Sequence, residues 1–261
     1  MNFIGYLRDI RCLKEGYRKT LFFCRKLAKA ILVIFIFIMI VLHGLLLTYK
    51  WVNPPLTNMM LVHWWQSGRE MPLHFLKKHW IPLQDISPYI KIAVLNSEDR
   101  YFFKHKGFCM KSMIYALKQD FIHHNKVSSS TITQQTAKNI FLFPRQSYLR
   151  KLLELYFAVI LEIIWGKDRI LEVYLNVFEL GYGVYGIENG TQHHFSKPAS
   201  RLCFDEACLL AAILYYPKTL NPLNPTNYVY YKASCAFKRG LSTAKKQHTN
   251  FPYLSGKCGL Q

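Results

Sequence analysis

One uninterrupted apolar stretch limits what this chain can fold into more than any other feature. Residues 30–49 carry no formal charge, and about twenty helical residues at about 1.5 Å each cross the ~30 Å hydrocarbon core of a bilayer. The apolar region of a cleaved signal peptide is shorter, about 7 to 15 residues, and ends at a cleavage site of small residues, which is not seen here. We therefore expect one transmembrane helix that is retained as an anchor.

The charge in front of that stretch predicts its orientation. Residues 1–29 contain eight Lys or Arg side chains against two acidic ones, and positively charged flanks stay in the cytoplasm. We therefore expect a cytoplasmic basic segment at residues 1–29, a transmembrane helix at residues 30–49, and residues 50–261 on the far side of the membrane. In a bacterium that side is the periplasm, and the exported part is long enough for one sizeable domain.

Composition narrows the class of partner. A chain that is 51% hydrophobic and 15% aromatic can bury a core, which excludes intrinsic disorder. The net charge of +19 suits nucleic acid, a membrane surface or a phosphorylated substrate. Nucleic acid is not expected, because part of this charge flanks the membrane helix and the rest is expected outside the cytoplasm. Seven cysteines without a CxxC pair predict neither a disulfide scaffold nor a structural metal.

Apolar periodicity predicts a mainly α domain. From residue 90 onwards apolar residues recur at spacings of three and four, most clearly over residues 149–165. Further helices are expected at residues 168–178 and 206–214, whereas strand-like alternation is scarce. The expected apolar stripe of the clearest helix contains Leu152, Leu153, Tyr156, Phe157, Ile160, Leu161 and Ile164.

Two stretches place polar chemistry at the edge of the expected core. Glu98 and Asp99 follow an apolar run, where an acid often has a shifted pKa; a solvated surface acid is the alternative. Thr131 and Gln134 have the spacing of a capping box, which predicts a helix start whose N–H groups could face an anion near Lys138. A plain capped helix without an anion is equally compatible with that spacing.

Two further stretches follow. The third combines three cations with one acid at the start of the apolar helix: Arg145, Arg150, Lys151 and Glu154. Arg can hold two phosphate oxygens at once, although a solvated basic face is the alternative. The fourth stretch, residues 167–195, passes from a helix into a turn rich in glycine, which indicates a tight backbone path near a ligand or another helix.

Four motifs follow one another along the chain: Glu98-Asp99 with Phe102, His105 and Gly107; residues 130–135 with Lys138-Asn139; Arg150-Lys151-x-x-Glu154; and Ile170-Leu171-Glu172-x-Tyr174-Leu175-Asn176. In this order they resemble the peptidoglycan glycosyltransferase family. The resemblance is closest to the monofunctional biosynthetic transglycosylases, which join one membrane anchor to this domain alone.

The resemblance implies a fold, a reaction and a site. The fold is a mainly α, lysozyme-like domain of two lobes about a cleft, and the reaction polymerises lipid II into glycan strands at the outer face of the bacterial cytoplasmic (inner) membrane. Glu98 matches the general base that activates the GlcNAc 4-OH of lipid II, and Glu154 matches a second essential acid. The implied substrate-binding residues are Asp99, Phe102, His105, Ser130, Thr131, Gln134, Gln135, Lys138, Arg145, Arg150 and Lys151.

Cofactors, partners and two alternatives complete these expectations. No cofactor is expected to be required, with stimulation by Mg²⁺ or Mn²⁺ left open, and the expected partners are lipid II, the nascent glycan strand, membrane lipid and other cell-wall synthesis proteins. A lysozyme-like enzyme that cleaves peptidoglycan would need one Glu but no cation cluster. An inactive membrane scaffold is the second alternative, because Ser128, Ser129 and Gln146 depart from the family pattern; Arg145 is expected to replace the arginine missing at Gln146.

Overall fold

The chain forms two units, Met1–Tyr49 and Lys50–Gln261, called here the N-terminal unit and the C-terminal unit. They are seen in a computed structural model that describes residues 3–67, 79–123, 130–144 and 147–246. The N-terminal unit is one helix, α1, Phe3–Thr48. Within it, Thr20–Thr48 is 29 residues long and apolar enough to cross a membrane, which is consistent with a membrane anchor.

The C-terminal unit is mainly helical, which confirms the predicted fold class. Its helices in the described ranges are α2 Asn58–Gln66, α3 Pro88–Glu98, α4 Met110–His123, α5 Ile132–Phe141, α6 Tyr148–Ile164, α7 Lys167–Val177, α8 Ile187–Phe195, α9 Phe204–Ile213 and α10 Asn227–Lys246. The glycine-rich turn forms a short antiparallel hairpin of β1, Glu179–Gly181, and β2, Val184–Tyr185, in which Glu179 faces Tyr185. The helices predicted from periodicity are present close to their expected bounds.

Two groups of helices build the C-terminal unit. Helices α3, α9 and α10 pack against one another, and α5, α6 and α7 form a second group. Ile90 and Val94 of α3 and Phe157 and Leu161 of α6 are fully buried, so each group has apolar side chains at its centre. The C-terminal end of α3 meets the N-terminal turn of α5, and the candidate site lies at this meeting point.

Helix α6 is less buried than its apolar stripe predicts. Leu152 and Tyr156, two members of the apolar stripe, are 64% and 41% exposed. The buried positions are Glu154, Phe157, Ala158 and Leu161, which lie at helical spacings of three and four. The stripe is wider than the face that the core covers. Two of its members, Tyr156 and Ile160, line an apolar cavity of about 500 Å³ together with Leu155, Val159 and side chains near the start of α4.

Position 107 requires glycine because the backbone there packs closely against α6. Its φ is +93°, and a Cβ there would lie 2.9 Å from the carbonyl carbon and oxygen of Ala158. The Gly107 carbonyl also accepts a 2.6 Å hydrogen bond from the Thr131 hydroxyl. Glycine is therefore required both for the backbone conformation and for the approach of the helix.

We expect Gly107→Ala to lower the free energy of unfolding by about 2 to 4 kcal/mol, because backbone strain adds to a clash with atoms that cannot rotate away. Gly166→Ala is the matched control: its φ is +77°, but nothing lies within 4 Å of the added Cβ. It should cost only the strain, about 1 kcal/mol. Urea denaturation of both variants gives the difference; equal losses would show that the clash contributes nothing.

Candidate active site

Glu98 is the last residue of α3 and projects where α3 meets α5. Pro88 starts that helix behind the Ser87 cap, and the chain leaves the helix at Asp99 with a φ of −153°. Glu98 Oε2 accepts a 2.9 Å hydrogen bond from Nε2 of Gln135. Burial raises the pKa of Glu98; the hydrogen bond from Gln135 and the charge of Lys232 act in the opposite direction but do not cancel the rise.

A buried tyrosine sets the orientation of Gln135. The Tyr174 hydroxyl donates to Gln135 Oε1 at 3.2 Å, which turns the amide N–H₂ group toward Glu98. Burial, followed by the charges of Glu98 and Asp99, raises the pKa of Tyr174 well above its usual value, so the hydroxyl keeps its proton. Sequence reasoning used Tyr174 only as part of a motif and missed this role, because nothing in the spacing links residues 98, 135 and 174.

Asp99 joins the end of α3 to the start of α5. Its carboxylate is hydrogen-bonded by His105 Nε2 at 2.8 and 3.0 Å and accepts a 3.1 Å bond from the backbone N–H of Ile132. Phe102 is buried, with its ring edge-to-face with that of His105. The observed contacts of these three predicted site residues are structural: Asp99 joins the end of α3 to α5, His105 holds the Asp99 carboxylate, and Phe102 packs against His105. Substrate contact by Asp99, Phe102 and His105 stays a prediction.

The capping box at the start of α5 is confirmed. Thr131 Oγ1 accepts from the Gln134 N–H at 3.2 Å, and Gln134 Oε1 accepts from the Thr131 N–H at 2.8 Å. Both side chains are buried, and the Ile132 N–H is taken by Asp99. These contacts support the plain capped helix rather than an anion at this helix end, and they position Gln135 and Lys138 on the following turns.

A charged cluster occupies the first two turns of α6. Arg150 Nη1 and Lys151 Nζ contact separate oxygens of Glu154 at 2.6 and 2.5 Å, as residues three and four apart on a helix can. Lys151 also donates to the Ser130 hydroxyl at 2.9 Å. Glu154 is only 2% exposed, so it fixes the two cations from the buried side.

Lys138 lies between this cluster and Glu98. It follows Gln135 by three residues on α5, so the two side chains share a face. Burial lowers the pKa of Lys138; Glu154 and Glu98 raise it, while Arg150 and Lys151 lower it further. Within the described ranges the Lys138 ammonium has no hydrogen-bond or salt-bridge partner, and neither has the buried Nε of Arg150.

The cluster therefore has a surplus of positive charge. Three cations, Lys138, Arg150 and Lys151, face one buried acid, Glu154, and two of the cations keep unused donors. Such a group can stabilise an anion with more than one charge. The structure thus brings Glu98, Ser130, Gln135, Lys138 and the α6 cluster together, as the sequence predicts for one site.

Some predicted site features cannot be placed. Arg145, Gln146, Ser128 and Ser129 lie outside the described residues. No group of three or more His, Cys, Asp or Glu side chains in the described part of the chain is arranged to hold a metal ion. Both oxygens of Glu154 are already engaged by cations, which makes this acid a poor ligand for a divalent ion in its present position.

Known proteins resemble the chain across this whole region. Residues 69–240 match the transglycosylase family model. A biosynthetic peptidoglycan transglycosylase of Bdellovibrio bacteriovorus is 42% identical over 203 residues, 78% of this chain and 80% of the relative. The corresponding proteins of Shewanella frigidimarina and Rhodospirillum centenum are 43% identical over 180 residues and 38% over 200, covering 69% and 77% of this chain and 76% and 84% of the relatives.

Proposed function

The chain belongs to the family of biosynthetic peptidoglycan transglycosylases, and we propose that the Glu98 site is where it polymerises lipid II into glycan strands. The family also gives the lysozyme-like fold class of the C-terminal unit. The enzyme is a peptidoglycan glycosyltransferase, whose substrates are lipid II and the growing glycan strand.

The reaction needs a base and an anion site. A sugar hydroxyl is a weak nucleophile, so Glu98 takes the proton of the acceptor GlcNAc 4-OH while that oxygen attacks C1 of the donor sugar. The new C1–O4 bond forms as the bond from C1 to the lipid pyrophosphate breaks, and the pyrophosphate leaves with the electron pair. Lys138, Arg150 and Lys151 then meet the negative charge that develops on the leaving group.

One pair of side chains supports this assignment most directly. Glu98, whose pKa is raised, is hydrogen-bonded by Gln135, and Lys138, one helical turn after Gln135, has no hydrogen-bond or salt-bridge partner among the described residues. Cleavage of glycan by water has no pyrophosphate to stabilise and gives no reason for the cation cluster. An inactive scaffold gives no reason for the unused donors of Lys138 and Arg150.

The direct test is an assay of the purified full chain with fluorescently labelled lipid II, in which the products are separated by length. Long strands released together with lipid pyrophosphate are the expected result. Shortening of a preformed glycan without polymerisation would instead support the cleaving enzyme. A folded protein that does neither would support the scaffold.

The raised pKa of Glu98 predicts a pH profile. The base form exists only above that pKa, so the acid limb of kcat/KM should lie above the range of an ordinary glutamate, about pH 4.3. Lys232→Met should move the limb further up, because Lys232 lowers the pKa of Glu98. Lys238→Met, a change to another exposed lysine of α10, is the control. Rates of lipid II consumption from pH 3.5 to 9 give the acid limb of each variant; an acid limb at or below pH 4.3 would contradict the base role.

We also propose how the chain is arranged in the membrane and that it requires no cofactor. Residues 1–29 lie in the cytoplasm, residues 30–49 cross the inner membrane, and residues 50–261 face the periplasm, so that the lipid tail of the substrate stays in the bilayer. Reporter fusions at residue 1 and residue 261 test this, since activity of a periplasmic reporter at residue 1 would reverse it.

Because Lys138, Arg150 and Lys151 supply the charge, no cofactor is required, and polymerisation should persist in EDTA. Contacts with other cell-wall synthesis proteins stay a prediction from the sequence.

A further inference from the structure

Helix α10 extends past the end of α3 and brings an aromatic surface to Glu98. Arg239 of α10 donates to the carbonyl of Asn96 at 3.3 Å, and Gly240 packs against Ile92. Later residues of α10 thus meet earlier residues of α3, so the two helices run antiparallel. The first turns of α10, with Tyr228 and Lys232, therefore lie beyond the C-terminal end of α3, where Glu98 projects.

Tyr215 and Tyr216 follow directly after α9, which packs against both α3 and α10, and the charge of Glu98 acts on Tyr215 and Tyr228. Lys232 is among the charges that lower the pKa of Glu98. The pKa values of Tyr215 and Tyr228 are raised, first by burial, then by neighbouring tyrosines, and also by the charge of Glu98. Both phenols are therefore within electrostatic reach of the proposed base, one from the segment after α9 and one from α10.

The aromatic surface is exposed. Tyr215, Tyr216 and Tyr228 are 48%, 54% and 38% exposed. The rings of Tyr215 and Tyr216 stand perpendicular, 4.5 Å between centroids, and Lys232 lies over the ring of Tyr228 at 5.8 Å. Neighbouring exposed aromatic rings on a monomer are a common mark of a binding surface, and their rigid faces suit the apolar C–H faces of a sugar ring.

The position of this surface indicates which ligand binds there. The cations that suit pyrophosphate, Lys138, Arg150 and Lys151, belong to α5 and α6, whereas the tyrosines belong to the group of α3, α9 and α10. Glu98 lies between the two. Since Glu98 must reach the hydroxyl of the acceptor, the side opposite the cations is the side from which that sugar arrives.

Resting on the proposed function, we propose that Tyr215, Tyr216 and Tyr228 form the surface on which the disaccharide of the acceptor lipid II stacks. Tyr215 and Tyr216 are the main specificity-determining pair, and Tyr228, held under Lys232, borders the surface beside Glu98. Their contribution is to binding and orientation of the acceptor, and the bond-making step stays with Glu98. Loss of a ring should therefore raise KM for the acceptor and leave kcat nearly unchanged.

The test uses the full chain and separates acceptor from donor. The labelled donor is a preformed glycan strand that still carries its lipid pyrophosphate, at a saturating concentration, and lipid II is varied as the acceptor. We expect Tyr215→Ala to raise the apparent KM for lipid II by about 10-fold, about 1.4 kcal/mol, with kcat within about twofold. The double variant with Tyr216→Ala should show a larger rise.

Two further variants make the result decisive. Tyr215→Phe keeps the ring and should keep a near wild-type KM. Tyr182→Ala removes a tyrosine that is 66% exposed on the β1–β2 turn and should leave both constants unchanged. An unchanged KM in Tyr215→Ala, a fall in kcat alone, an equal effect of Tyr182→Ala, or equal losses in the Phe and Ala variants would overturn the proposal. If the wild-type chain itself makes no polymer, the proposed function fails; if only the tyrosine variants behave as wild type, this inference alone fails.

Discussion

Glu98→Gln is expected to reduce the rate of lipid II polymerisation by about 100- to 10,000-fold, the range that general-base catalysis contributes. The amide keeps the shape of the carboxyl group and can still accept the hydrogen bond from Gln135, but it cannot take the proton of the acceptor hydroxyl. Product length and lipid pyrophosphate release should be measured on the same samples. Turnover above about a tenth of the wild-type rate in a folded variant would remove Glu98 from the base role.

The control for this variant is another buried acid. Burial also raises the pKa of Glu179 on β1, to about 7, so Glu179→Gln removes a comparable charge at a position to which we assign no catalytic role. It should polymerise at close to the wild-type rate. If both amide variants were equally inactive, the loss would reflect a general effect on the unit rather than the loss of a base.

Glu98→Gln should not reduce the stability of the folded protein at neutral pH. A glutamate whose pKa is raised in the folded state binds its proton more tightly there than in the unfolded chain, so its contribution to stability is present below the unfolded pKa and is lost as the pH rises through the folded pKa. Above that range, the buried charge of Glu98 disfavours folding, and Gln removes it. A melting temperature for Glu98→Gln that equals or exceeds the wild-type value at pH 8 is the expected outcome.

What the sequence predicts well is local. The Thr131–Gln134 capping box and the cluster of Arg150, Lys151 and Glu154 depend on residues three or four apart, and both form as the spacing predicts. The periodicity of α7 and α9 likewise gives their bounds to within a residue or two. In each case the backbone geometry of one helix fixes the contact, so no knowledge of the tertiary fold is needed.

What the sequence does not predict depends on distant partners. The Tyr174–Gln135–Glu98 relay joins three helices, and the link from Asp99 to Ile132 crosses 33 residues. The burial along α6 has a related cause: periodicity shows which side chains are apolar but not how wide a face the neighbouring helices can cover. The tyrosines near Glu98 come from two different segments, and the packing of α3, α9 and α10 against one another brings them together.

Glu154→Gln is expected to reduce polymerisation by about 100-fold and to lower the free energy of unfolding by about 1 to 3 kcal/mol. A buried acid that holds two cations is replaced by a neutral amide, so Arg150 and Lys151 keep their charge but lose their counterion. Both cations are partly solvated, which keeps the stability loss below that of a fully buried pair. The expected loss of activity is about 100-fold because a displacement of the cations by about 1 Å from the leaving group lowers the rate by about that factor.

A second acid of α6 separates the two effects. Glu162 is also mostly buried, and its Oε1 accepts from Lys167 at 2.6 Å and from Thr133 at 2.7 Å, but it lies two turns further along the helix and away from Lys138. Glu162→Gln should therefore lower the melting temperature by a similar amount and leave the turnover of the folded enzyme within a few-fold of wild type. Rates below the melting temperature, together with thermal unfolding curves, decide between the roles. Wild-type turnover by folded Glu154→Gln would make Glu154 a purely structural acid, and Lys138 with the unused Nε of Arg150 would then have to stabilise the pyrophosphate without an ordered cluster behind them.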